Sequence, residues 1–152
     1  MSVLLDTNIL TRLAEPIHPL RATALSAVET LQSAGRILHI VPQNLYEFWV
    51  VATRPTTANG GLGLTVAEAR AELESIRGSF VLLHDTPAIF AEWEAHDCKG
   101  KPAHDARLVA AMHVHGVTEL LTFNGSDFRR FGDIFVLEPA AVAAAQDPTE
   151  QA

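Results

Sequence analysis

The chain has 152 residues, a length that suits one domain, and 48% of them are apolar against 19% charged, a balance that supports a packed core and excludes a disordered or fibrous polypeptide. Its formal net charge of -7, from 11 basic and 18 acidic side chains, argues against a broad basic face for nucleic acid, but not against a local basic rim around an acidic site. The single cysteine, Cys98, excludes an internal disulfide and suits a reducing compartment.

Val3–Leu5 reads as a first strand. It runs into Asp6, and the Asp-Thr-Asn sequence that follows is good helix-capping chemistry. "HPLRATALSAVETLQSAG" has apolar residues at helical spacing and stops at Gly35. Ile37–Val41 is a second strand, and "PQNLYEFWVVATRP" a helix that starts at Pro42 and stops before Pro55. "TTANGGLG" is a loop. Thr65 and Glu68 fit a capping box for a helix ending at Gly78. Phe80–His84 is a third strand, after which Thr86 caps a helix that Pro87 opens and that runs to about Asp97. "CKGKPAH" is a loop, "DARLVAAMHVHG" a helix ending at Gly116, and "ELLTF" and "IFVLE" the fourth and fifth strands.

Strands alternating with helices predict βαβ units and an α/β fold with a mainly parallel five-stranded sheet. The expected organisation is a single domain over 1–138 and an Ala-rich tail over 139–152, a short helix that frays. No apolar run approaches the ~20 residues of a membrane span. No basic stretch precedes the first apolar run, so no signal peptide is read, and the expected setting is the cytoplasm.

Right-handed crossovers bring the C-terminal ends of parallel strands to one edge, where such sheets bind ligands. Asp6 follows the first strand. Asn124 and Asp127 follow the fourth, in "LLTFNGSDF". Glu47 lies one to two turns into the helix after the second strand, a lone acid among Leu45, Phe48, Trp49 and Val50. Asp105 opens the helix before the fourth strand. Taken singly, each has an ordinary reading as a cap, a solvated side chain or a turn residue. Together they converge, and converging carboxylates repel. A hard divalent cation, Mg²⁺ or Mn²⁺, relieves that repulsion with the oxygen ligands it prefers. Arg12, Arg54, Lys99, Lys101, Arg107, Arg129 and Arg130 fall near the same edge and are candidates to grip phosphates. Arg54 follows Glu47 by two helical turns, ~10 Å along the same face.

Other signals are weaker. His113 and His115, two apart on a helix, face different ways and do not chelate one ion. His104, beside Asp105, is read as a surface histidine at the rim. The glycines at 60–63 lack the Lys-Ser/Thr of a phosphate-cradling loop, and Ser126 lacks a nucleophile-elbow context.

The segments "LLDTNIL", "NLYEFWVVATRP", "HDARLVAAMHVHG" and "LLTFNGSDFRRF", in this order and spacing, resemble the PIN-domain family, and within it the VapC-type toxins of bacterial toxin–antitoxin pairs. The resemblance covers nearly the whole chain. It implies a doubly wound, three-layer α/β/α fold (PIN-like), a Mg²⁺-dependent endoribonuclease, inhibition by a cognate antitoxin, homodimer formation, and Asp6, Glu47 and Asp105 as acidic ligands. Many relatives carry an acid where this chain has Asn124. Either Asp127 supplies the missing charge or it caps the turn before Phe128. Two further readings stand beside it: a metal-poor module that binds RNA or protein, which Asn124 favours, and a haloacid-dehalogenase-type phosphatase, which Asn8 weakens because that chemistry uses an acid there.

Overall fold

The computed structural model describes residues 1–145. Five strands, β1 (Ser2–Leu5), β2 (Ile37–Ile40), β3 (Val81–Leu82), β4 (Glu119–Leu121) and β5 (Phe135–Leu137), form one sheet in the order β3-β2-β1-β4-β5. Every neighbouring pair is parallel. The helices are α1 (Thr7–Leu13), α2 (Arg21–Ser33), α3 (Pro42–Thr53), α4 (Val66–Ser79), α5 (Pro87–Ala95), α6 (Pro102–His115) and α7 (Pro139–Ala144).

The central strand shows why the sheet is covered on both faces. Successive side chains of a strand point to opposite sides. Val3 and Leu5 of β1 enter a core with residues of α1 to α4, while Leu4 enters a second core with Ile89 of α5 and the buried residues of α6. A strand apolar on both faces belongs inside a parallel α/β sandwich. The fold is therefore the expected three-layer α/β/α.

Local signals set most boundaries. The Thr65 hydroxyl accepts from the Glu68 amide, and the Glu68 carboxylate from the Thr65 amide, both at 3.1 Å. Gly116 closes α6 with φ 69°, where a side chain would be strained. Some boundaries differ from expectation. Helix α5 ends at Ala95 because Asp97 adopts a left-handed φ of 57°, and Thr86 makes no side-chain cap bond there. Helix α6 begins at Pro102, so Asp105 lies within its first turn. Of the expected tail, Pro139–Ala144 form α7, which packs on α2 with Val142 against the core. The rest of that tail, 146–152, lies outside the described residues. Among the described residues no helix is long and apolar enough to cross a membrane.

The strand order fixes where a ligand can sit. From β1 the chain moves outward through β2 to β3, then returns to the other side of β1 with β4 and β5. The connections that leave β1 and β4 therefore diverge, and a crevice opens between those two strand ends.

Candidate functional site

Asp6 stands at that crevice. Its amide donates to Leu121 O at 2.9 Å, the last tie between β1 and β4. Its two carboxylate oxygens then do different things. Oδ1 accepts from the Thr7 amide at 2.7 Å and so caps α1. Oδ2 accepts from the Thr122 hydroxyl at 2.6 Å and from Asn8 Nδ2 at 3.3 Å. Capping and presentation of a charge to the crevice are thus both served by one residue.

Asp6, Glu47, Asp105, Asn124 and Asp127 line one cleft of about 300 Å³, together with Arg12 and Lys101. Glu47 is held by Gln43, whose Nε2 donates to its Oε1 at 2.6 Å and to His104 O at 2.9 Å. Asp127 lies in a 3-10 turn, Gly125–Phe128, and its amide donates to Asn124 O at 3.0 Å.

The electrostatics of this cleft are unfavourable to its own acids. Burial pushes the Asp6 carboxyl up to about 6 from 3.8, against the lowering effect of its bonds to Thr122 and Thr7, and the charges of Glu47 and Asp127 push the same way as burial. Asp105 is also raised to about 6, first by burial and then by Asp6 and Asp127, with Arg130 and Lys101 opposing. Glu47 is raised by burial and by Asp105, while Gln43, His104 and Arg107 lower it. Asp127 therefore acts on both other aspartates by charge, and Asn124 adds none.

The donor set fits a hard divalent cation. It offers carboxylate oxygens on rigid elements, and Asp6, Glu47 and Asp105 are each pushed towards the protonated form in a way that a nearby positive charge reverses. These acids do not form a group whose ligand atoms all lie within 4.8 Å of one another. Mg²⁺ suits such spacing, because it usually keeps several of its waters.

The candidate arginines divide. Arg12 lines the cleft but donates from Nη1 to Glu15 Oε1 at 3.0 Å. Arg54 and Arg107 line an adjoining groove of about 360 Å³ with Glu47, Tyr46, Val50 and His104. Arg54 Nη1 donates to Asn59 O at 2.8 Å, and Arg107 stands 3.5 Å from Asp85. Sequence reasoning missed Thr122, Asn8 and Gln43, which orient the acids. A polar residue closing an apolar strand, as Thr122 does after Leu121, is the signal that points to one of them. A larger cavity of about 580 Å³, between α2 and α4, gathers no comparable set of acids.

A family model for the PIN domain matches residues 3–134. No curated protein matches the chain in sequence. Among solved structures, the chain is similar to VapBC2 from Rickettsia felis, a complex bound to a DNA fragment from its promoter, at 15% identity and TM-score 0.66 over 91% of this chain and 98% of that one. It is similar to VapC20 from Mycobacterium tuberculosis, described as a sarcin–ricin loop cleaving toxin, at 20% identity and TM-score 0.60 over 85% and 95%. DNA-bound VapBC from Salmonella typhimurium is 21% identical with TM-score 0.56 over 91% and 98%.

Proposed function

Because the chain belongs to the PIN domain family, we propose that it is a metal-dependent endoribonuclease acting as the toxin of a toxin–antitoxin pair. The observation that carries this reading is the cleft at the β1–β4 crevice, where Asp6, Glu47, Asp105 and Asp127 meet and three of the four are driven up by burial and by one another. Asp6, Glu47, Asp105 and Asp127 would hold Mg²⁺, or Mn²⁺ in its place. When bound, the cation supplies activation of water and neutralisation of charge on the phosphoryl oxygens.

The chain's own residues do the rest. Thr122 and Asn8 hold Oδ2 of Asp6 in a fixed orientation, and Gln43 does the same for Oε1 of Glu47. Asn124 offers a neutral carbonyl to orient water. Lys101 and Arg12 line the cleft and attract the phosphates beside the scissile bond. No serine, cysteine or histidine lines the cleft, so water is the nucleophile; the resemblance to VapC-type toxins implies that the 3′ oxygen leaves, giving products with a 5′-phosphate and a 3′-hydroxyl. The substrate class is structured RNA with an exposed single-stranded loop, whose splayed bases leave the backbone reachable.

The groove beside the cleft, with Arg54, Tyr46 and Val50, suits an inserted segment of the cognate antitoxin; several structural neighbours are themselves toxin–antitoxin complexes. Tyr46 and Val50 on α3 and Phe90 on α5 are exposed, which supports a homodimer. A cytoplasmic location goes with this reading. The test is cleavage of a stem–loop RNA with Mg²⁺ and with EDTA. Cleavage should appear only with the metal. RNA binding without cleavage under both conditions supports the binding-module reading instead.

Arg54 yields a narrower expectation. Its guanidinium is partly engaged by Asn59 O, so it either pins that loop or also meets a phosphate in the groove. Arg54→Ala should weaken RNA binding and lower the slope of log affinity against log salt by ~0.7, as for one lost phosphate contact. Affinities measured at several salt concentrations, with Ca²⁺ replacing Mg²⁺ to suppress cleavage, check this. Parallel slopes leave Arg54 as a loop pin alone.

A further inference from the structure

A second cluster of ligating side chains lies away from the acid cleft. Among the described residues, Glu92, His96 and His113 form the one group of three whose ligand atoms all lie within 4.8 Å of one another. Glu92 and His96 are four apart on α5 and its cap, so one helix face presents both. Asp97, with its left-handed φ, ends the helix immediately after His96. Helix α6 packs against α5 and carries His113 across to them. His113 is eight residues beyond Asp105 on α6, ~12 Å along the helix, so the two groups are separate.

The geometry points to a site for a divalent transition ion of the Zn²⁺ kind, held by Glu92, His96 and His113. The distances are close to those of a ligand shell. Glu92 Oε1 is 2.7 Å from His113 Nδ1 and 3.8 Å from His96 Nε2. Bonds of ~2.0–2.1 Å in a tetrahedron set ligand atoms ~3.3 Å apart, between those two values. Two imidazoles and a carboxylate are donors that Zn²⁺ accepts and that Mg²⁺ does not prefer.

His96 Nε2 is the second observation. It is buried and has no hydrogen-bond partner among the described residues, a state that is costly for a polar nitrogen. A metal ion satisfies it. Phe131 meets the His96 ring edge-on at 5.4 Å and fixes its plane. Asp133 Oδ2 stands 2.6 Å from His113 Nε2, off the line of a hydrogen bond, where its charge favours a cation in the cluster. Glu92 is the most exposed of the three ligands, which leaves a route for the ion. Its effect would be to clamp α5 to α6, the helix whose first turn carries Asp105.

The competing account is that the cluster holds protons and no metal. Calorimetric titration of the untagged full chain with Zn²⁺, in excess Mg²⁺ to saturate the acid cleft, separates the two. One Zn²⁺ per chain should bind. His96→Ala and Glu92→Gln should each weaken binding at least ~10-fold, while Asp6→Asn leaves it unchanged. Co²⁺ in place of Zn²⁺ should give visible ligand-field bands that Glu92→Gln, which keeps the side-chain shape, loses. Absence of stoichiometric Zn²⁺ binding overturns the site, and so does wild-type affinity in Glu92→Gln or loss of binding in Asp6→Asn. None of these readouts depends on RNA cleavage.

Discussion

Asp6→Asn is expected to lower RNA cleavage by about 10²-fold or more, the scale of losing one charge-stabilising group in a reaction site, and to make the metal-free chain more stable at neutral pH. The two effects share one cause. Burial and the charges of Glu47 and Asp127 hold the Asp6 carboxyl at about 6 in the fold, against 3.8 without them. A carboxyl raised in the folded state binds its proton more tightly there than in the unfolded chain. Its stabilising share is complete below pH 3.8 and is lost as pH rises through 6. At pH 7 the ionised form therefore costs the metal-free fold up to about 3 kcal/mol.

Asparagine removes that cost but not all of it is recovered. Its carbonyl can still accept from the Thr7 amide, while its Nδ2 faces the Asn8 amide that formerly donated to Asp6. A net gain of about 1–2 kcal/mol is the expectation. Urea unfolding of the metal-free proteins between pH 4 and 8 measures it. The wild-type curve should fall across that window and the variant curve should be flatter, with Mg²⁺ restoring wild-type stability above pH 6 and doing little for the variant. A variant that cleaves at the wild-type rate removes Asp6 from the ligand set. Asp105→Asn should act in the same direction, with a smaller stability gain because Asp105 is more open to solvent.

Asp6 and Asp105 stand out in the sequence because they sit where an element changes, at the end of β1 and the start of α6, and Glu47 because it is a lone acid among apolar neighbours on α3. The α/β/α layering was visible for a related reason. Caps such as Thr65 with Glu68 and openings such as Pro42 are short-range events, and hydrophobic spacing is local too. What stayed hidden depends on pairings between distant segments. Thr122 reaches Asp6 only because β4 lies beside β1 in a fixed register, Leu5 opposite Leu121, and no local pattern states which strands adjoin. Arg54 is expected two helical turns beyond Glu47, but α3 ends at Thr53 and Arg54 is its extended C-cap, and its bond to Asn59 O belongs to the loop that folds back after Pro55. His113 and His115 face different partners, Glu92 and His84 O. The partners of His113 lie on α5, one connection earlier, where spacing along α6 gives no hint of them.

Asn44 is the residue whose loss should damage the fold most. It lies in the first turn of α3, fully buried, where a polar side chain is tolerated only if every group is paired. It is fully paired. Its Oδ1 accepts from the Val41 amide at 2.8 Å, closing the start of α3. Its Nδ2 donates to Leu5 O and to the Thr7 hydroxyl, each at 3.1 Å. One side chain thus ties the end of β1, the start of α1 and the start of α3, the three elements that flank Asp6. Asn44→Ala leaves a buried amide and a buried carbonyl without partners and opens a small void. At ~1–3 kcal/mol for each orphaned group the expected loss is about 3–5 kcal/mol, a large part of the 5–15 kcal/mol on the order of which a domain is stable. Asn44→Asp keeps the acceptor for Val41 but presents a carboxylate to Leu5 O in the same buried place. It should be less stable than Asn44→Ala at pH 8 and recover as the pH falls and the new carboxyl takes up a proton, now able to donate to Leu5 O. Urea midpoints for the three proteins at pH 5 and pH 8 decide the matter. A loss below about 1 kcal/mol in Asn44→Ala means that relaxation or water replaces these bonds, and that the direction of Asp6 is set by Thr122 and Asn8 alone. In the expected case, the fraction of Asn44→Ala that remains folded should also cleave RNA more slowly than wild type, since the end of β1 then holds Asp6 less firmly.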